Sequence, residues 1–266
     1  MDELARYNQE RWEELAGANV LYSRPLLDLD QQSAREQLDP YGVMGEITGK
    51  DVLCLASGGG QQSVAAALLG ANVTVVDLSP TQLQRDREAA RHYNLEITTL
   101  LGDMRDLSRF GEAAFDLVWH AYSINFVPDA RVVFREVARV LRPGGLYRMM
   151  CSNPFVAGMD EEEWNGVGYP LSRPYVDGAD LAFEFWNVDG GDGVTRPIKA
   201  PREFRHTLST VVNGLVEQGF VLLGVWEELA DDPEAAPGSW EHFKSIAPPW
   251  LTFWARYRPP MEDARC

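Results

Sequence analysis

The stretch Asp51-Val-Leu-Cys54-Leu-Ala56-Ser57-Gly58-Gly59-Gly60 decides the fold. Residues 51–56 are a compact apolar run. A run without strict alternation suits a strand buried on both faces. Ser57 and three glycines follow, and Gln61 to Leu69 reads as a helix ended by Gly70. Glycines between a strand and a helix let the backbone turn sharply and approach a ligand closely. The helix N-terminus offers free N–H groups to a carboxylate or phosphate. A tight turn with no ligand has the same sequence, so the loop needs company before it means binding.

The pattern repeats outward from this unit. Residues 73–76 form a second β-branched run closed by Asp77, and Pro80 opens a helix that runs to about Tyr93. Residues 96–101, 115–119 and 146–151 read as the third, fourth and fifth strands. A helix over 129–141 is stopped by Arg142-Pro143-Gly144-Gly145. Strand and helix alternation predicts a doubly wound, mostly parallel α/β sheet with right-handed crossovers. Upstream, Leu4, Tyr7, Trp12 and Leu15 suit an amphipathic helix over 3–17. Downstream, a helix over about 202–218, a strand over 220–227, an acidic loop over 230–239 and a final strand over 250–257 complete the chain. The expected organisation is a single domain over 1–266. It has an N-terminal helical cap (1–45), a cofactor-binding half (46–151), an insertion (152–200) and the C-terminal part of the sheet (201–266). The insertion follows the fifth strand and so falls at the carboxyl edge, where ligands of open α/β sheets bind.

The 266 residues carry 24 Lys+Arg against 40 Asp+Glu, a formal net charge of −16. That balance argues against a nucleic-acid partner, because affinity for phosphates needs clustered cations. A hydrophobic fraction of 45% excludes wholesale disorder. Cys54, Cys151 and Cys266 are too few and odd in number for a disulfide framework, which suits thiols in a reducing cytoplasm. The charged N-terminus, residues 1–15, has no apolar run that suits a signal peptide, and no apolar stretch reaches about 18 residues as a membrane span needs, so the expected location is cytoplasmic.

Two acids join the glycine loop. Asp77 lies 19 residues after Gly58 and can accept both hydroxyls of a ribose. It can also cap the following helix, although Ser79 before Pro80 is the better cap. Asp103 in Leu-Gly-Asp-Met-Arg-Asp-Leu can accept from an exocyclic amine beside the Met104 backbone, or form a local Asx-turn. Taken together, the loop 54–60, Val-Val-Asp77-Leu78-Ser, Gly102-Asp103-Met104, Phe115-Asp-Leu-Val-Trp-His120 and Leu141-Arg-Pro-Gly-Gly145 resemble a class I S-adenosylmethionine-dependent methyltransferase of the small-molecule type. The resemblance covers about 50–151. It implies a seven-stranded, Rossmann-like sheet with an antiparallel last strand, and S-adenosyl-L-methionine as cofactor with S-adenosyl-L-homocysteine as product. It further implies that Ala56, Ser57, Gly58 and Gly60 hold the methionine end, Asp77 with Leu78 the ribose, Asp103 with Met104 the adenine, and His120 the methionine portion. Two positions depart from the family: Cys54 stands where an acid is usual, and Ala56 where a glycine is usual. A dinucleotide-dependent oxidoreductase is the rival, but Ser63 replaces the last glycine of its G-x-G-x-x-G fingerprint. A cofactor-binding module without catalysis is the other alternative.

For methyl transfer the protein supplies proximity, orientation and sometimes a base. The resemblance turns the fourth-strand end, His120 to Asn125, toward the methyl. Small-molecule relatives often carry His where Asn125 stands, so His120 and Tyr122 become the candidate catalytic residues; a structural His and a core Tyr are the plainer readings. Tyr7, Asn125, Trp186 and His242 are the candidate substrate contacts. Between 156 and 192 nine acids stand against Arg173, among several aromatics. This points to a neutral or cationic small molecule, or else to a solvated acidic surface over a satellite core.

Overall fold

The computed structural model describes residues 1–191 and 193–259; Asp192 and residues 260–266, Cys266 among them, lie outside the described residues. In chain order the strands are β1 (Asp51–Leu55), β2 (Asn72–Asp77), β3 (Ile97–Leu101), β4 (Phe115–Tyr122), β5 (Leu141–Ser152), β6 (Phe185–Asp189), β7 (Thr195–Lys199), β8 (Phe220–Glu227) and β9 (Trp250–Tyr257). The helices are α1 (Glu3–Gly17), α2 (Gln31–Leu38), α3 (Gln62–Leu68), α4 (Pro80–His92), α5 (Ala130–Val140), α6 (Leu208–Glu217) and α7 (Trp240–Ile246).

Seven strands form one sheet in the order β3-β2-β1-β4-β5-β9-β8. The first five are parallel, and β9 runs antiparallel between β5 and β8. This is the predicted Rossmann-like methyltransferase sheet with its reversed strand. The strand order turns back between β1 and β4, so the loops leaving both strands meet at the carboxyl edge, where such sheets bind ligands.

Alternate residues of β1 face opposite layers. Val52 and Cys54 join a core with Ala34, Leu38, Ala65, Leu117 and Trp254. Leu53 and Leu55 join Val133, Phe134, Val137, Val211 and Leu215 on the other side. Buried residues of α5 recur three or four apart at Val133, Phe134, Val137 and Val140, which gives one apolar stripe against the sheet. Cys54 and Cys151 are free buried thiols, and burial pushes both upward, to about 12 for Cys151. Both therefore stay protonated near neutrality. Ser79 caps α4 through the Gln82 N–H at 3.0 Å, with Pro80 in the first turn.

Three parts differ from the sequence expectation. The helix expected from about 202 begins at Leu208, capped by Thr207 through the Thr210 N–H. Residues 201–206 are extended instead, with Glu203, Arg205 and His206 buried, because their backbone is claimed by tertiary partners: Phe204 N donates to Asn125 O at 2.7 Å, and Leu181 N to Glu203 O at 2.9 Å. The segment 152–200 contains an antiparallel hairpin of β6 and β7. Residues 240–246 form α7, capped by Ser239. No helix of the described residues is long and apolar enough to cross a membrane.

Candidate active site

The loop 56–60 is bound to its surroundings through backbone N–H groups. Ala56 has φ +45° and donates to Val76 O at 2.7 Å. A left-handed alanine costs roughly 1–2 kcal/mol, which is the physical reason a glycine suits this position better. A Cβ on Gly58 would meet Gln82 Cβ at 2.7 Å, and one on Gly60 would meet Ala89 Cβ at 2.8 Å and Arg85 O at 2.9 Å. The glycines thus let α4 approach the loop.

Asp86 of α4 anchors that approach. Its carboxylate accepts from Gly59 N at 3.2 Å, Gly60 N at 2.9 Å and Ser63 Oγ at 2.5 Å. It supplies from α4 the side-chain brace that Cys54 cannot give. Burial, with the Asp77 charge adding to it, pushes the Asp86 carboxyl from 3.8 up to about 7 against those hydrogen bonds. Between those values the folded chain holds a proton that the unfolded chain has lost, so stability falls as pH rises through that window. The full swing is on the order of 4 kcal/mol. Thermal unfolding should therefore show Tm declining from pH 4 to pH 7, with a shallower decline in Asp86→Asn. An identical slope in the variant would take Asp86 out of that account.

Asp77 closes the other side of the loop. Its Oδ2 accepts from Gly58 N at 2.9 Å and its Oδ1 from Ser79 N at 2.8 Å. Burial raises its pKa against these two donors. Two buried polar atoms flanking the loop, Ser57 Oγ and Gln82 Oε1, have no protein partner. Buried polar groups are nearly always hydrogen-bonded, so this pair points to a polar ligand on the loop. Helix α1 crosses the same edge. Gln9 Nε2 donates to Leu78 O at 2.6 Å, while Glu13 accepts from Thr81 Oγ1 at 2.6 Å and from the Ser79 hydroxyl. Asp103 is bound by Arg105, whose Nη2 lies at 2.6 Å, and Arg105 also reaches Asp2 at 2.8 Å. The Met104 side chain is buried in the core.

At the end of β4 two candidates are buried. His120 is fully buried, its Nδ1 2.8 Å from the Tyr147 hydroxyl. Burial, and then the Arg148 cation, bring it down to about 3. It is a neutral ring and a poor proton acceptor at neutral pH, and its buried Nε2 has no protein partner. Asn125 is equally buried: Nδ2 donates to Ser152 Oγ at 2.8 Å and Phe204 O at 2.9 Å, and Oδ1 accepts from Ser152 N at 2.9 Å. Both of its N–H donors are thus used in tying β5 to the 201–206 segment.

Tyr122 ends β4 at the carboxyl edge of the sheet. Its hydroxyl donates to Glu203 Oε2 at 2.9 Å, and burial followed by the Glu203 charge raises it far above 10, so it acts as a donor and not as a base. Glu203 is 5% exposed, and burial pushes it up to about 7. Sequence reading missed it, because an acid two residues into an expected helix reads as solvated. The signal was the Thr207 cap, which starts the helix after Glu203.

An aromatic group adjoins the pair. Trp12 packs edge-on against Phe126 at 5.3 Å, and against Tyr22 and Trp186 at 6.0 Å each; Phe126 reaches Tyr122 at 6.1 Å. Trp186 is thus brought beside the cleft. Tyr7 serves a tether, donating to Ala200 O at 3.1 Å. His242 sits in a separate cluster with Trp164 and Tyr169, its Nδ1 2.9 Å from the Tyr169 hydroxyl. The insertion's acids are largely occupied: Asp160 caps a turn, Glu163 pairs with Arg173, Asp180 with Arg202, and Asp177 accepts from Thr207 N. A hollow of about 870 Å³ lined by Asp51, Thr74, Arg87 and Thr98 lies at the opposite, amino edge of the sheet, away from these groups.

The profile of the methyltransferase domain family matches residues 53–149. The uncharacterized methyltransferase YbaJ of Bacillus subtilis (strain 168) is 37% identical over 186 residues, spanning 68% of this chain and 70% of that protein. The ubiquinone biosynthesis O-methyltransferase of Xanthomonas oryzae pv. oryzae (strain PXO99A) is 31% identical over 109 residues, 41% of this chain and 46% of its own length. A crystal structure of an S-adenosylmethionine dependent methyltransferase from Mesorhizobium loti superposes with a TM-score of 0.62 at 25% identity, covering 87% of this chain and 100% of that one.

Proposed function

Because the chain belongs to the S-adenosylmethionine-dependent methyltransferases, we propose that its cofactor lies on the loop 56–60 and Asp77, and that its acceptor is a neutral or cationic small molecule at the end of β4. One observation carries the placement. Ser57 Oγ and Gln82 Oε1 are buried without partners beside the Gly58–Asp77 hydrogen bond, at the point where the strand order reverses. These residues fit the cofactor. Ala56, Ser57, Gly58 and Gly60 would hold its methionine end. Asp77 with Leu78 would take the ribose hydroxyls, and Asp103 with Met104 the adenine, Asp103 sharing its carboxylate with Arg105.

When bound, S-adenosylmethionine supplies an electrophilic methyl carbon, and its sulfur keeps the electron pair of the broken carbon–sulfur bond. The chain's own contribution is placement. Loop and Asp77 fix one reactant, and the aromatic group around Trp12 and Phe126 excludes water around the other. His120, whose Nε2 is buried without a protein partner, would lie against the methionine portion.

Calorimetry tests the placement. The purified chain is expected to bind S-adenosylhomocysteine at one saturable site and to ignore NAD+. Binding should weaken in Ser57→Ala, which removes the hydroxyl and adds no atom to the packed loop. Equal affinity in that variant would move the cofactor off the loop.

A further inference from the structure

We propose that Glu203 is the acceptor-side carboxylate of this enzyme, and that the acceptor is a small amine, bound as its ammonium, that yields its proton to Glu203 before it is methylated. The proposal rests on the methyltransferase reading above.

The position follows from the sheet register. Leu55 of β1 lies opposite His120 of β4. Ala56 and Tyr122 therefore leave adjacent strands side by side, and Tyr122 holds Glu203 at 2.9 Å. Glu203 is 95% removed from solvent, since its exposure is 5%. Among the described residues no ion pair reaches it, and Tyr122 is the one side chain that hydrogen-bonds to it. A buried carboxylate without a counter-cation is costly to keep charged. A ligand cation would remove that cost; Tyr22 lies close enough to feel the Glu203 charge, Phe126 lies 6.1 Å from Tyr122, and both rings can attract a cation as well.

The same burial makes the proton transfer easy. It raises the carboxyl to about 7 before a ligand arrives and disfavours charge on an ammonium as well, so desolvation narrows the gap in proton affinity that the ion pair itself widens. The ammonium N–H bond breaks, its proton goes to Glu203 Oε1, and its electron pair stays on nitrogen. That lone pair forms the new nitrogen–carbon bond. The product leaves as a methylated ammonium, and the carboxyl proton returns to solvent.

Other titratable groups facing Glu203 do not change charge near neutrality. Tyr122 and Tyr22 are raised far above it, as is Cys151 behind Tyr122. Buried His206 on the same segment is lowered, and Arg202 is paired with Asp180. Asp86 lies under the glycine loop, on the cofactor side.

The test is calorimetry on the full chain saturated with S-adenosylhomocysteine. The probes are 2-phenylethylamine and its neutral isostere 2-phenylethanol. The amine is expected to bind about tenfold more tightly at pH 8 than at pH 6, following the ionised fraction of Glu203, and the alcohol to show no such change. Glu203→Gln should lose the amine at least about tenfold while its affinity for S-adenosylhomocysteine stays within about twofold. The pH comparison on the unaltered protein decides the matter even where Glu203→Gln does not fold. Amine affinity that is absent, independent of pH, matched by the alcohol or kept in Glu203→Gln overturns the proposal and leaves the cofactor reading standing. Failure to bind S-adenosylhomocysteine overturns both.

Discussion

Asp77→Ala is expected to weaken S-adenosylhomocysteine binding by about 2–4 kcal/mol, roughly 30- to 1000-fold. The proposed role gives the carboxylate two ribose hydroxyls, each a charge-assisted hydrogen bond. The variant also releases Gly58 N, now held at 2.9 Å, and so loosens the loop that meets the rest of the ligand. Asp77→Asn separates the two effects. It keeps an oxygen for Gly58 but lacks the charge, and an intermediate loss is expected. Titration calorimetry on folded variants reads both. An alanine variant that binds as tightly as the unaltered chain would remove Asp77 from the ribose site.

Phe134→Ala is expected to lower unfolding free energy by about 3–5 kcal/mol, read by urea denaturation. Phe134 is fully buried, stacks edge-on against Tyr147 at 6.4 Å, and fills the space left by Gly214 of α6, where a Cβ would stand 2.9 Å from its Cδ2. Ring and glycine are complementary, so truncation leaves a cavity between two helices and the sheet. Phe155→Ala is the internal comparison. That ring is 54% exposed and stacks on Tyr175, and its loss should stay within about 0.5 kcal/mol. Equal effects at the two positions would mean that the α5–α6 seam collapses around the missing ring.

The elements that could be read in advance are those whose signal is local. Residues 51–62 carry a buried strand, a glycine turn and a helix start within twelve positions, and Asp77 and Asp103 repeat the strand-end acid. Backbone sterics and period alone place them at one edge of a parallel sheet. The hairpin of β6 and β7 was not legible, because Gly, Pro and acids around it mask its short alternation. The helix start was set six residues too early, because 202–207 has helical composition while its backbone donors are claimed by Asn125, Asp177 and Ala179.

Side-chain roles divided in the same way. The sequence by itself determined the sheet, the glycine loop, Asp77 and the family they belong to, because each follows from residues close together in the chain. Only the tertiary structure decided which polar groups face the cleft. Asn125 stands at the right place in sequence, yet Ser152 and Phe204 take up both of its N–H donors, and Tyr147 takes Nδ1 of His120 while Nε2 stays without a protein partner. Asp86 supplies the brace that Cys54 lacks, and Glu203 arrives at Tyr122 from 81 residues away. Whether a carboxylate is solvated or buried, and therefore what it can do, depends on what packs over it. That packing comes from distant segments, and no local pattern encodes it.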